Sequence, residues 1–251
     1  MKIAVVTSEV TFVKENYNRF LETLFSKSAD NEFSLIVLKN NHPSLILKGL
    51  LLILAGATET GLNLVKNSIQ ALGFDHQLIA TKYKIKTHYF TSANHPSFYD
   101  FVKNNNIDLI INARTRDIYK NKILNASTLG CLNIHHGILP DYRGTMCDLY
   151  ALYEGRAAGF SIHKMEAKID NGSILKTREV TDPKSKIGLN FPLHIFNSSI
   201  IEGIEMGLLI QSIKETGKFP LEKENVSTNI TYTKNPHFSL IRKMKRKGMI
   251  L

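Results

Sequence analysis

Residues 132–144 read LNIHHGILPDYRG. The run Cys131 to His135 has the length of a buried strand, and the period of two sends the Asn133 and His135 side chains to the same side at its carboxyl end. Open α/β sheets gather their reactive groups at that edge. Gly137, Pro140 and Gly144 suit a shaped loop after the strand. Within it Tyr142 offers a phenol and Arg143 a planar cation able to hold an anionic group.

Working outward, Lys2 to Val6 (KIAVV), Phe33 to Leu38 (FSLIVL) and Ile107 to Asn112 read as further buried strands. Helix-compatible sequence lies between them: from Lys14 to Ser28, Tyr17, Phe20, Leu21, Leu24 and Phe25 recur at i, i+3, i+4, i+7 and i+8 and give one apolar face. The alternation predicts an α/β fold, an open and mostly parallel sheet flanked by helices. After Leu193 the apolar spacing predicts a long helix reaching about Thr216. The first strand is followed by Thr7-Ser8-Glu9-Val10-Thr11, and no glycine precedes Gly49, so a Gly-rich phosphate loop is excluded there.

The 251 residues are 43% hydrophobic and 22% charged, with 15 Gly and 7 Pro, an ordinary globular composition that excludes collagen and wholesale disorder. Two cysteines, Cys131 and Cys147, cannot form a four-thiolate zinc site and give no reason to assume a disulfide, so a cytoplasmic setting is expected. The short apolar start at Met1–Val6 is not expected to act as a signal peptide. Half of the formal net charge of +10 comes from Arg242, Lys243, Lys245, Arg246 and Lys247, in a tail whose last fifteen residues hold no Asp or Glu. That tail reads as a solvated basic segment or an anion or membrane-surface contact, so localisation includes a possible peripheral place at the inner membrane surface. Nucleic acid is disfavoured, because only Tyr232 and Phe238 lie near enough to stack on bases.

Leu45 to Ala57 is nearly all apolar yet too short to cross a bilayer, which takes roughly 20 residues. With Leu62, Leu64, Val65 and Ile69 it is expected to form a helical hairpin covering part of the core or a subunit interface, with membrane contact as the lesser alternative. The resulting division is a core over residues 1–216 with a helical insertion at about 40–73, then a short basic appendage over 217–251.

A second stretch, Gly159 to Gly172, reads GFSIHKMEAKIDNG. Taken singly, His163 is a satisfied core histidine and Asp170 a turn former before Asn171-Gly172. Taken with the first stretch, they complete a pattern of Asn-x-His, Leu-Pro-x-Tyr-Arg-Gly, Gly-x-Ser-x-His and Asp-x-Gly. This order resembles the formyltransferases that use 10-formyltetrahydrofolate, the group of glycinamide ribonucleotide, methionyl-tRNA and sugar-nucleotide N-formyltransferases.

The resemblance implies a Rossmann-like fold and a catalytic trio of Asn133, His135 and Asp170. It places 10-formyltetrahydrofolate, the formyl donor, between Ala113, Arg114, Thr115, Arg116, Asp117 and Ile118 on one loop and Ala167 and Ile169 on the loop that carries Asp170. It puts the acceptor near His136, Gly137, Tyr142, Arg143 and Gly144. Two departures stand out: His136-Gly137 replaces the Pro-Ser of many members, and Arg114 to Tyr119 replaces an apolar folate loop.

The residue types suit the chemistry. Moving a formyl group to an amine develops an oxyanion, which fixed donors on Asn133 and a protonated His135 would stabilise. Proton transfers ask for an imidazole near neutrality steadied by a carboxylate. His135, His136 and His163 could be drawn as zinc ligands, but no His-Glu-x-x-His or cysteine pair accompanies them, and no metal is expected. The missing glycine loop argues against glycinamide ribonucleotide, and the short appendage against tRNA. The compact shape resembles the sugar N-formyltransferases, so a small-molecule amine, an amino sugar of a sugar nucleotide, is the expected acceptor, on a chain that could form homo-oligomers. Formyltetrahydrofolate hydrolysis, an inactive folate-fold scaffold and a basic nucleic-acid-binding module are the other readings.

Overall fold

The computed structural model describes residues 1–73, 75–185 and 189–251. The chain runs β1 (Lys2–Ser8), α1 (Asn18–Lys27), β2 (Glu32–Leu38), α2 (Pro43–Ala55), α3 (Thr58–Gln70), α4 (Asp75–Lys82), β3 (Lys86–Phe90), α5 (Pro96–Asn104), β4 (Leu109–Ala113), α6 (Asn121–Leu124) and β5 (Cys131–His135). It continues through β6 (Tyr142–Gly144), α7 (Cys147–Glu154), β7 (Ala158–Lys164), β8 (Ile174–Thr181), α8 (Phe191–Thr216), β9 (Thr231–Thr233) and α9 (Phe238–Arg246).

Among the described residues the main sheet has seven strands in the order β3-β2-β1-β4-β5-β7-β8. The first five are parallel, while β7 and β8 join antiparallel. Alternation along β1 shows why both faces must be covered: Ile3 and Val5 enter one apolar cluster with α1 and α8, whereas Ala4 and Val6 enter another with Phe98 and Val102 of α5. Residues 217–251 are tied to this frame by β9 pairing with β6 and by bridges from Lys223 to Ile174 and from Ile250 to Asn190.

Helix α1 begins at Asn18, four residues later than its apolar spacing predicts. Glu15, Asn16 and Tyr17 take φ of 58°, 50° and 66°, outside the right-handed helix. Asn16 accounts for the turn: its Oδ1 accepts the Thr11 N–H at 2.7 Å and its Nδ2 donates to the Glu9 carbonyl at 2.8 Å. The turn buries Tyr17, whose ring stacks on Phe20 with centroids 4.8 Å apart.

Helix α8 is long and apolar enough, by length and composition, to cross a membrane. Here it packs along α1, β7 and β8 and buries Glu202 completely. Gly203 permits that approach, because a Cβ there would lie 2.8 Å from the Phe20 carbonyl oxygen.

The apolar insertion forms the expected hairpin, α2 against α3. Its inner face puts Leu45 and Leu64 with Val10 and Ala71. Leu62 and Ile69, expected to pack with it, are instead exposed, as are Ile46, Leu47, Leu50, Leu51 and Leu54 on α2. The helices meet at glycines: a Cβ on Gly61 would fall 2.5 Å from the Gly49 carbonyl oxygen. Gly61→Val should therefore overpack the crossing and cost about 1–3 kcal/mol. A thermal melt should show a Tm lowered by several degrees, and an unchanged Tm would refute close packing there.

Candidate active site

The carboxyl ends of β1, β4 and β5 open into a cleft of about 580 Å³. Asn133, His135 and Asp170 all line it. Strand β5 delivers the first two from one face, as its period requires. Asp170 arrives from the loop after β7 with φ of 50°, a conformation unusual for a residue with a Cβ. That loop is braced by Asn225, whose Nδ2 donates to the Asp170 carbonyl at 3.0 Å and to the Gly172 carbonyl at 2.8 Å.

Asn133 is fixed at both ends of its amide. Its Oδ1 accepts from Asn112 Nδ2 at 2.8 Å, and Asn112 Oδ1 in turn accepts from the Thr115 hydroxyl at 2.6 Å. On the other side Asn133 Nδ2 donates to His163 Nε2 at 3.0 Å, because His163 Nδ1 donates to the Lys164 carbonyl at 2.7 Å and leaves Nε2 as the acceptor. The relay crosses three adjacent strands and leaves the second Asn133 amide hydrogen for the cleft.

His135 faces acceptors on both ring nitrogens. Nε2 donates to the Tyr142 carbonyl at 2.9 Å, and Nδ1 lies 3.4 Å from Asp170 Oδ1. Two acceptors are best answered by a doubly protonated ring. Burial alone would lower the His135 pKa, but Asp170 and Cys147 outweigh it and push it up to about 10. Asp170 is the counterpart: burial raises it, but His135 and the Gly144 N–H, which donates to Oδ2 at 3.0 Å, hold it at about 2. Burial and the neighbouring His135 charge bring His163 down to about 4, so it stays neutral. The imidazole is thus a standing cation and not the near-neutral group that the chemistry was expected to need.

A second buried cluster lies behind the cleft and reaches its lining through Arg114, His136 and Asp148. Glu202 of α8 lies 3.4 Å from His136 Nε2 and accepts from the Tyr17 hydroxyl and from Ser198 Oγ at 2.7 Å. Burial would raise its carboxyl, but His136, Arg114 and Tyr17 hold it at about 2. Burial and Arg114 lower His136, while burial and Glu202 raise Tyr17 well above its ordinary value. Asp148 lies 3.6 Å from His194 Nε2; burial would raise its carboxyl, but His194 lowers it. Arg114, with φ of 62°, stacks over Tyr17 and Phe12 at 5.1 and 5.6 Å, and its Nε and Nη2 find no hydrogen-bond partner.

Of the other residues singled out in the sequence, Arg114, Thr115, Arg116, Asp117, Ile118, Ile169, His136 and Gly144 line the cleft. Ala113, Ala167, Gly137, Tyr142 and Arg143 do not. Tyr142 turns its hydroxyl to Glu154. Arg143 is only 3% exposed and donates to Asn171 Oδ1 at 2.9 Å and to the Asn225 carbonyl at 2.7 Å, so it braces the Asp170 loop from a buried position outside the cleft lining. Sequence reasoning missed Asn112, Asp148, Glu202 and Asn225, whose partners lie far along the chain. Only an acidic residue inside an apolar helical pattern, Glu202, left a visible signal. Among the described residues no group of three or more His, Cys, Asp or Glu could hold a metal ion.

An open, mostly parallel sheet with an Asn, His and Asp cleft at its carboxyl edge defines a Rossmann-like protein. The chain belongs to the formyl transferase family, which residues 58–184, half of its length, match. It is 33% identical over 91 residues to GDP-perosamine N-formyltransferase of Brucella melitensis, an alignment covering 36% of this chain and 35% of the relative. The chain thus spans about a third of that relative's length. A sugar N-formyltransferase from Shewanella superposes with a TM-score of 0.57 at 16% identity, covering 93% of this chain and 76% of the other. A sugar 3N-formyl transferase determined in the presence of dTDP and 5-N-formyl-THF gives 0.55 at 16%, covering 93% and 69%. These superpositions establish a shared fold.

The ion pair sets a testable pH dependence. The Asp170 contribution to stability is present above its ordinary 3.8 and lost as pH falls toward about 2. The His135 contribution is full below its ordinary 6.5 and lost as pH rises toward about 10. The stability advantage of wild type over Asp170→Asn should therefore shrink between pH 6.5 and 10. Denaturant melts across that range check it, and a constant difference would show that the pair is not ionised as described.

Proposed function

We propose that the chain is an N-formyltransferase that moves the formyl group of 10-formyltetrahydrofolate to an amine carried by a sugar nucleotide. The observation that carries this reading is the buried His135–Asp170 ion pair beside the anchored Asn133 amide, on the floor of a cleft large enough for a small ligand. The donor supplies a formyl carbon bound to a ring-conjugated nitrogen.

The loops that would hold it place Ile118 and Ile169, both exposed, on the same cleft, an apolar pair suited to a flat ring. Backbone groups of residues 113–119 and 166–172 would then orient it, so the polar side chains of the first loop do not preclude binding.

In the transfer a new C–N bond forms to the acceptor nitrogen, and the bond from carbon to the donor nitrogen breaks. Negative charge develops on the formyl oxygen, where the free Asn133 amide hydrogen and the charge of the His135 imidazolium would stabilise it. The acceptor nitrogen becomes acidic as it adds. The proton it loses would pass to the departing nitrogen by way of the His135–Asp170 pair, which ends with the protons it began with. The 3.4 Å separation is loose for a charged hydrogen bond and leaves room for it to tighten on binding.

Support for a sugar nucleotide comes from charge. Arg114 and Arg116 both line the cleft, and burial and the charge of Arg116 lower the pKa of Lys48. Such a mouth suits a diphosphate. The GDP-linked substrate in one relative's name and the dTDP in one similar structure's title point the same way.

Single-turnover assays with 10-formyltetrahydrofolate and a panel of nucleotide-linked amino sugars test the reading. His135→Ala and Asp170→Ala should each lower transfer by roughly 10²-fold or more with the fold retained by circular dichroism. Activity within threefold of wild type in both would reject the assignment, and formate release without any amine would favour hydrolysis instead.

A further inference from the structure

We propose that α2, with the basic helix α9 beside it, is a docking surface for an anionic lipid bilayer. The outward face of α2 carries Ile46, Leu47, Leu50, Leu51 and Leu54, with Leu47 59% and Leu54 81% exposed. At 3.6 residues per turn these five fall within roughly 140° of arc, and no charged residue interrupts them. An uncovered face of that extent on a water-soluble surface calls for an occupant. Helix α2 has thirteen residues, about 20 Å of length, too short to span a hydrocarbon core but sufficient to lie flat in its boundary.

The charge around the face identifies the occupant. Helix α9 buries Ile241 and Met244 and is held against the hairpin: a Cβ on Gly56 would lie 3.2 Å from Lys245 Cγ, and the Glu59 N–H donates to the Leu251 carbonyl at 2.9 Å. The arc of α9 that continues from Lys245 carries Phe238, Arg242 and Arg246, all exposed. Among the described residues none of Arg242, Lys243, Lys245 or Arg246 is paired with a carboxylate.

Across α2, α3 and α9 the only acidic side chain is Glu59. A second copy docked on this face about a two-fold axis would set these cations against themselves with almost no carboxylate to answer them. An anionic bilayer answers both halves of the surface, taking leucines into the acyl boundary and leaving long basic side chains among the headgroups. The proposal rests on surface residues alone and stands apart from the chemistry assigned to the cleft.

Co-sedimentation of the full chain with vesicles of phosphatidylcholine, alone or with about a third phosphatidylglycerol, tests it. Wild type should partition onto the anionic vesicles and not the neutral ones. Arg242→Gln with Lys245→Gln should weaken partitioning roughly thirtyfold, and Leu50→Ser with Leu54→Ser should weaken it at least tenfold. All four positions are exposed, so an unchanged Tm in each double variant separates lost docking from lost folding. The protein contains no tryptophan, and Leu54→Trp therefore places a single reporter whose emission should shift to the blue on anionic vesicles. Absence of wild-type binding, equal binding to both vesicle types, or an unmoved emission spectrum of the Leu54→Trp variant would overturn the proposal. So would a dimer in sedimentation that Leu50→Ser with Leu54→Ser dissolves, since the face would then belong to a second copy.

Discussion

Three carboxylates, Asp148, Asp170 and Glu202, are buried around one cleft, and each faces an imidazole: His194, His135 and His136 in turn. An ionised carboxylate taken out of water costs several kcal/mol unless charge and hydrogen bonds answer it, and losing one partner leaves the other exposed to that cost. Much of the surrounding architecture follows from this requirement. The unusual turn at Glu15–Tyr17 brings a phenol to Glu202, and the positive φ of Arg114 sets a guanidinium over Tyr17. The Gly144 N–H is spent on Asp170.

The three pairs sit in different protonation regimes. His135 is driven up by Asp170, whereas burial and Arg114 drive His136 down although Glu202 lies at the same 3.4 Å separation as Asp170 from His135. The difference is the neighbour: a fixed guanidinium already supplies positive charge beside His136. Glu202 also receives two hydroxyl donors, from Tyr17 and Ser198. One cleft thereby holds a cationic imidazole and a neutral one, and burial beside the His135 charge keeps His163 neutral as well.

The sequence announces whatever local pattern controls. Apolar runs locate β1, β2, β4 and β5, and period-two geometry puts Asn133 and His135 on one face. The motif order brings Asp170 to them across the sheet. What stays hidden depends on pairing at long range. Glu202 reads as an interruption of an apolar helix until Tyr17, 185 residues earlier, is seen to donate to it. Arg143 reads as an anion binder because nothing nearby reveals that Asn225, 82 residues later, consumes its guanidinium. The start of α1 is misplaced because an apolar periodicity says which face is buried and is silent about Asn16 bonding back to the preceding loop. The hairpin is legible as two helices, but a single sequence carries no sign of what its second face touches.

The bracing of the Asp170 loop by Asn225 makes the cleft depend on the segment after α8. The residues that create the cleft chemistry lie between Asn112 and Asp170, yet the clamp that holds Asp170 in its left-handed conformation comes after the long helix α8. The larger apolar layer draws on the same part of the chain, since Ile241, Met244, Met249 and Leu251 belong to it. That segment pairs through β9 with β6 and seats Asn225 against the Asp170 loop. One late stretch of chain thus completes the core and braces the cleft together, so in this molecule the fold and the shape of the site are fastened by the same segment.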